Sequence, residues 1–206
     1  AGPNGCSIIS QEFYETDPSR GFVRGYAFQI ARGAGPVTTA QGGMGAGPIP
    51  WGDNHRASFD RLFGRNAVIA VIGEDLPELH NQVTIDPELT DSDGIPAPKV
   101  TYTMSDNSIK LMAHGMARGE EVMTAAGAID VQINPLLRRG GWHLLGPARM
   151  GNAPANSVVD SLGRSHDVKN LFIIDGSVFV TAGAVNPTPT IQAVALHIAD
   201  QFKQNS

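Results

Sequence analysis

Two polar side chains in the last third of the chain have a type and setting suited to proton chemistry, His143 and Asn186. His143 stands between Trp142 and Leu144-Leu145-Gly146, an imidazole among bulky apolar neighbours. Histidine changes charge near neutral pH, so modest changes in its surroundings fit it for proton transfer. Alone it decides nothing, because an isolated histidine is more often structural than catalytic. Asn186 opens Asn186-Pro187-Thr188-Pro189-Thr190, just before a helical pattern. Asn before Pro is a common turn opener or cap. The same place offers the unpaired N–H groups and positive potential of a helix start, which suit an electron-rich ligand atom. Asp175-Gly176 closes the apolar run 171–174 and also has two readings. The aspartate caps the next turn, or the pair lies at a strand's carboxyl end, where ligands gather and glycine lets a backbone come close.

The elements that would position these residues follow from periodicity. Residues 7–14 and 22–30 are strand-like, with Tyr26, Phe28 and Ile30 alternating onto one face. Residues 31–53 are too rich in Gly and Pro for a regular element, and a loop so long is usually functional or mobile. The apolar run 67–72 suits a strand buried on both faces. Residues 82–85 and 100–104 read as an antiparallel pair with a turn at Asp93-Gly94; Asp86, Asp91 and Asp93 are spaced too irregularly for a calcium loop. A helix is expected over 106–126, capped by Ser105 or Asp106 and stopped near Gly127. Ile109, Met112, Met116 and Met123 would form its core stripe, with His114 off the stripe and partly exposed. Asn134-Pro135 and Gly140-Gly141 mark a boundary. Beyond it, 171–174 reads as a short strand, and a last helix runs from 189 or 190 to about 203 on the face Ile191, Val194, Ala195, Ile198 and Phe202.

Composition narrows the function classes. With 206 residues, 41% hydrophobic and 17% charged, the chain reads as soluble and globular, large enough for one domain or two small ones. A net charge of −5 without a basic block leaves no electrostatic footprint for nucleic acid. No stretch reaches the roughly 20 apolar residues of a membrane helix. The single cysteine, Cys6, cannot form an internal disulfide and reads as a small buried apolar residue; it fits a cytoplasmic location without excluding export. His55, His80, His114, His166 and His197 lack the paired spacing of metal ligands, so no metal is expected. The absence of a Gly-x-Ser-x-Gly elbow argues against an α/β-hydrolase.

What decides is order. Trp142-His143-Leu-Leu-Gly-Pro-Ala-Arg149-Met150-Gly151 comes first, then Ser157-Val158-Val159-Asp160, then Asn170-Leu-Phe-Ile-Ile-Asp175-Gly176-Ser177, then Asn186-Pro187-Thr188. Together, over about residues 141–202, they resemble the C-terminal signature of the glucose-methanol-choline flavoenzymes. The resemblance implies an FAD-dependent oxidoreductase acting on the CH–OH group of a small alcohol or sugar. His143 would remove the hydroxyl proton while hydride leaves the carbon for flavin N5, and Asn186 would hydrogen-bond the substrate oxygen. Trp142, His143, Asp175, Gly176, Asn186, Pro187 and Thr188 would contact FAD. The implied fold is mixed α+β or α/β. Residues 1–137 would supply a substrate-binding antiparallel sheet with a helix, and residues 138–206 a strand-loop-helix segment completing a Rossmann-like FAD domain.

Two features depart from the family pattern. Pro147 stands where the family usually has Thr, removing a backbone donor. No Gly-x-Gly-x-x-Gly turn opens a helix: residues 42–47 are Gly-rich, but Pro48-Ile49-Pro50 follows, so this stretch reads as a loop near the active site. The chain begins Ala-Gly-Pro-Asn without Met, as a processed or truncated chain would. The expectation is therefore a companion chain or further segment carrying the dinucleotide motif. Two other readings stand beside the oxidoreductase: a lyase that retains FAD without net redox, and a non-catalytic remnant or binding module.

Overall fold

A computed structural model describes residues 7–42, 49, 51–136 and 143–204. The architecture is mixed α/β, with antiparallel sheets and helices. The chain forms two compact units, one from Ala1–Gly73 and Ile109–Arg139, the other from Glu74–Ser108 and Gly140–Ser206. Among the described residues no helix is long and apolar enough to cross a membrane, and no group of His, Cys, Asp and Glu is placed to hold a metal ion.

In the first unit, β2 (Tyr26–Arg32) lies between β1 (Ser7–Ser10) and β3 (Ala67–Gly73), antiparallel to both. The register sets Tyr26 opposite Gly73, Phe28 opposite Val71 and Ile30 opposite Ile69, so all six share one face as the alternation requires. On that face Tyr26, Phe28, Phe22 and Leu111 form the buried core. Removing a Phe or Leu side chain from water contributes roughly 1.5–3 kcal/mol. Contrary to the expectation for 67–72, β3 is only partly buried. It is an edge strand, and continuous apolarity does not distinguish that from a strand covered on both faces.

The long helix is α3 (Asp106–Ala125). Its start and stop are local chemistry: Ser105 Oγ accepts from Ser108 N at 3.1 Å, and Gly127 takes φ +86 while Ala128 N closes on Met123 O at 3.0 Å. Of the expected stripe, Met112 packs against the core and Met116 and Met123 are half-buried, but these are not the most buried positions. Ser108, Leu111, Gly115 and Gly119 are covered, and Ile109 is 52% exposed. Glycine and serine do not register as apolar, yet here they let the helix approach the sheet, Gly115 over Val71 and Gly119 over Ile69 and Phe28. His114 is partly exposed as expected, but its Nδ1 lies 2.8 Å from the hydroxyl of fully buried Tyr26, edge-on to Phe13 and Phe22.

Residues 31–53 are not wholly irregular. A five-residue helix, α1 (Pro36–Ala40), forms because Gly35 precedes it and Pro36 has the φ of a first helical turn. A further helix, α2 (His55–Leu62), follows and was not expected. The series Trp51, His55, Phe59, Phe63 at four-residue spacing is the signal for it: Trp51 stacks on His55 and Phe59 on Phe63. Cys6 and most of the Gly-rich stretch at 42–47 lie outside the described residues.

In the second unit, β4 (Gln82–Thr90) and β5 (Pro96–Thr101) form the expected ribbon, with Val83 opposite Val100 and Ile85 opposite Pro98. The Asp93-Gly94 turn is made as foreseen. Asp91 Oδ1 accepts from the amides of Asp93 and Ile95 at 2.9 and 3.0 Å, and Gly94 takes φ +80. Asp86 likewise spends Oδ1 on Glu88 N and Leu89 N, both at 2.9 Å. At the ribbon's base Asp75 accepts from Tyr102 (2.7 Å) and Ser108 (2.5 Å), tying β5 to the start of α3. The last helix, α4 (Thr188–Gln204), turns Ile191, Val194, Ala195 and Ile198 inward as its periodicity requires, whereas Phe202 of the expected face is 52% exposed.

Candidate active site

The motif segments of the last third close on one another through backbone hydrogen bonds. Residues 146–151 form the middle segment, with a turn at Pro147-Ala148. On one edge Gly146, Ala148 and Met150 donate to the carbonyls of Gly176 (3.4 Å), Ser177 (2.9 Å) and Val178 (2.8 Å). On the other edge Val158 N donates to Arg149 O and Gly151 N to Val159 O, at 3.0 and 2.9 Å. Residues 163–166 pair next, with His166 N on Val158 O and an antiparallel bridge between Val159 and Ser165. The run 171–174 completes the set, although not as a strand. It makes one bridge, Arg164 to Phe172, flanked by Ser165 N on Leu171 O and Ile173 N on Gly163 O. Only this short turn-rich stretch lies beside it among the described residues, too little for a ladder. Val159 and Val178 are fully buried within this arrangement.

His143 enters this ladder three residues before Gly146 and is half-buried. Trp142 lies outside the described residues. Asp175 is exposed and caps the short 3-10 turn Gly176–Val178, accepting from Ser177 N at 2.8 Å and Ser177 Oγ at 2.5 Å. The Ser177 hydroxyl first, and its amide second, hold the Asp175 carboxyl below the usual carboxylate range. Gly176 is buried where three parts of the site meet. A methyl there would lie 3.0 Å from Ile191 Cδ1 of α4, 3.0 Å from Leu145 Cδ2 and 3.1 Å from Leu144 O. Gly176 thus brings the residues just after His143 against the first turn of α4.

Asn186 and Thr188 are exposed at the start of that helix, and Pro187 is half-buried. Pro187 and Pro189 carry no N–H, and the helical bonds begin with Ile191 N on Pro187 O at 3.0 Å. The free amides of this first turn are therefore those of Thr188 and Thr190. Two N–H groups at the positive end of a 17-residue helix suit one electron-rich edge, such as the carbonyl and ring nitrogen of a flavin. The residues present fit that group. The Pro147 departure costs the ladder nothing, because the inward donors are residues 146, 148 and 150 and Pro147 is exposed.

Some polar contacts escape sequence reasoning because they join distant positions. His166 Nε2 lies 3.0 Å from both Gly151 O and Ser157 Oγ, and Arg149 Nε donates to Asn156 O at 2.6 Å. Thr181, in the loop leading to Asn186, donates to Glu74 Oε1 at 3.3 Å across a separation of 107 residues.

Comparison with known proteins agrees with the motif order. Residues 77–195 match the model of a family described as GMC oxidoreductase. A 2-methyl-1,2-propanediol dehydrogenase of Mycolicibacterium austroafricanum is 43% identical over 204 residues, covering 98% of this chain and 37% of that protein. A 6'''-hydroxyparomomycin C oxidase of Streptomyces lividus is 39% identical over 69% of this chain and 26% of its own length. The fructose dehydrogenase large subunit of Gluconobacter japonicus is 34% identical over 62% of the chain and 23% of its own length. The chain spans little more than a third, at most, of these relatives.

Proposed function

This chain belongs to the GMC oxidoreductase family, and from that premise we propose that it is the catalytic C-terminal part of an FAD-dependent oxidoreductase acting on an alcohol CH–OH group. The observation that carries the reading is the convergence at Gly176 of the stretch following His143 and the first turn of α4. The relatives' names support redox chemistry over a lyase, since they are dehydrogenases and oxidases. The compounds in those names are a small diol, hydroxyparomomycin C and fructose. The diol dehydrogenase matches nearly the whole chain, which favours a small aliphatic alcohol over a sugar.

When bound, FAD would supply the two-electron acceptor for the substrate carbon's hydride. His143 would take the hydroxyl proton as the C–O bond becomes a carbonyl. Asn186 would donate its amide N–H to the substrate oxygen and fix its direction. Trp142, Asp175, Gly176, Pro187 and Thr188 would line the flavin, Asp175 and Gly176 by shaping the turn and Thr188 through its amide. Residues 1–137 would serve mainly substrate binding and 138–206 would complete a Rossmann-like FAD domain, with the dinucleotide held by a segment outside these residues. The β4–β5 ribbon shares a compact unit with that C-terminal part.

The test uses the full-length, flavin-loaded protein. Addition of 2-methyl-1,2-propanediol or another short alcohol without oxygen should bleach the flavin, and His143→Ala should slow bleaching by about 10²–10⁴-fold. Undiminished bleaching in the variant would remove His143 as the base. A flavin left oxidised by every alcohol and sugar tried would sink the reaction class.

A further inference from the structure

His166 plays no part in the reaction proposed above, yet it holds a side-chain junction in the C-terminal ladder. Its Nε2 lies 3.0 Å from Gly151 O and 3.0 Å from Ser157 Oγ. The Ser157 hydroxyl is 2.6 Å from Ala153 O, a carbonyl that can only accept, so its proton goes there. Gly151 O also only accepts. Nε2 must therefore carry the imidazole proton and donate to both oxygens. This assignment excludes a serine–histidine nucleophile, because the histidine nitrogen facing Ser157 has no lone pair to offer.

The junction closes the loop 151–157 onto residue 166, and Arg149 Nε closes it from the other side on Asn156 O. There is no slack in it: a methyl on Gly151 would lie 2.9 Å from Ser157 Cβ. Gly151 ends the stretch 146–151, and that stretch joins two partners. Its odd-numbered backbone groups bind Val158 and Val159, and its even-numbered amides bind Gly176, Ser177 and Val178. One end of the stretch is thus pinned by His166 and the other leads directly to His143.

Resting on the reading of His143 as the base, we propose that His166 is a positioning residue, whose Nε2–H fixes the 146–151 stretch and through it the imidazole of His143. Catalytic groups need placement within a fraction of an ångström, and a displacement of about 1 Å costs on the order of a hundredfold in rate. His166→Ala in the full-length, flavin-loaded protein should therefore lower kcat about a hundredfold while leaving KM and the flavin absorbance near their wild-type values. His166→Gln should recover most of the loss, because the Gln amide nitrogen takes the place of Nε2 and donates twice, whereas His166→Asn, whose amide falls short of that position, should not.

Two outcomes overturn the proposal. One is undiminished kcat in folded His166→Ala. The other is a folded His166→Gln as impaired as His166→Asn, which also decides the matter if the alanine variant does not fold. A measurement without turnover runs alongside. Nitrogen-15 NMR of the imidazoles should show His166 as the Nε2–H tautomer in wild type, and the Nδ1–H tautomer would refute the junction. If no alcohol is oxidised but the tautomer is as stated, the reading of the reaction has failed and the junction has not. If alcohol is oxidised and His143→Ala is inactive but His166→Ala is not impaired, only the positioning role has failed.

Discussion

Gly115 and Gly119 lie about one turn apart on the buried face of α3, and alanine at the two positions should shift stability in opposite directions. In a helix interior alanine is favoured over glycine by about 0.8–1.0 kcal/mol, the same gain at both places. At position 119 the added methyl meets Ile69 Cγ2 and Phe28 Cε1, each at 3.8 Å, which is ordinary contact, so the gain is kept and a little apolar burial is added. At position 115 the methyl would lie 2.5 Å from Val71 Cγ1 and 3.5 Å from Tyr26 Cε2. Val71 cannot easily yield: it is stiff at χ1 and sits in register beside buried Phe28. Overpacking of this kind costs about 1–3 kcal/mol, which exceeds the propensity gain. Gly119→Ala should stabilise by about 1 kcal/mol and Gly115→Ala destabilise by about 1 kcal/mol. With urea slopes of about 1–3 kcal/mol/M, the two midpoints should fall on opposite sides of wild type, roughly 1 M apart. The cause is checked by a double-mutant cycle: Val71→Ala should cost at least about 1 kcal/mol less in the Gly115→Ala background than in wild type. Stabilisation by both substitutions, or no coupling to Val71, would refute the account of how α3 meets the sheet.

Two pH-dependent outcomes follow from the rings of half-buried His114 and of Tyr102, which is 55% exposed. Burial foremost, then Arg118 and Arg20, lower the pKa of His114 below 6.5, so the folded chain binds fewer protons there than the unfolded chain. That contribution is complete above about pH 6.5 and is lost as the pH falls below it, so denaturation at about pH 7.5 and 5.5 should show a drop that is smaller in His114→Gln. Burial, then the hydrogen bond to Asp75, pushes Tyr102 up to about 12, so its contribution is present below the usual tyrosine range and fades as the pH rises toward 12. Tyr102→Phe should remove a late-titrating phenol from the near-ultraviolet titration and cost about 1 kcal/mol at neutral pH; an unchanged alkaline titration would contradict the Asp75 contact.

How far the sequence could be read depended on whether the decisive interaction is local. The limits of α3 were legible because Ser105 and Gly127 act within a few residues of themselves. The alternation of Tyr26, Phe28 and Ile30 was legible because a strand repeats every two residues. The most buried positions of α3 were not, since Gly115 and Gly119 are chosen for the distance between helix and sheet, a quantity that hydrophobic pattern does not carry. His114 read as an unremarkable helix residue because its partner, Tyr26, is 88 positions away. The site divides in the same manner. The motif order identified the segments, whereas the junction among Gly151, Ser157 and His166 exists only after the chain has folded back across 15 residues.

The ladder also separates the motif's polar residues by what is left for them to do. Asp160 spends Oδ1 on Leu162 N and Arg164 N, Asp175 spends Oδ1 on Ser177, Ser157 and His166 satisfy each other and two carbonyls, and Arg149 is held by Asn156. These groups are occupied in making the turns, and a group so occupied offers little to a substrate without unmaking the scaffold. His143, Asn186 and Thr188 are different: they stand at the ends of the ladder and of α4, half-buried or exposed, with no such local task among the described contacts. A family signature mixes both kinds in one string of letters. The polar side chains that the fold leaves unspent, and not the motif as a whole, are where the proposed chemistry would belong, and His143 and Asn186 are among them.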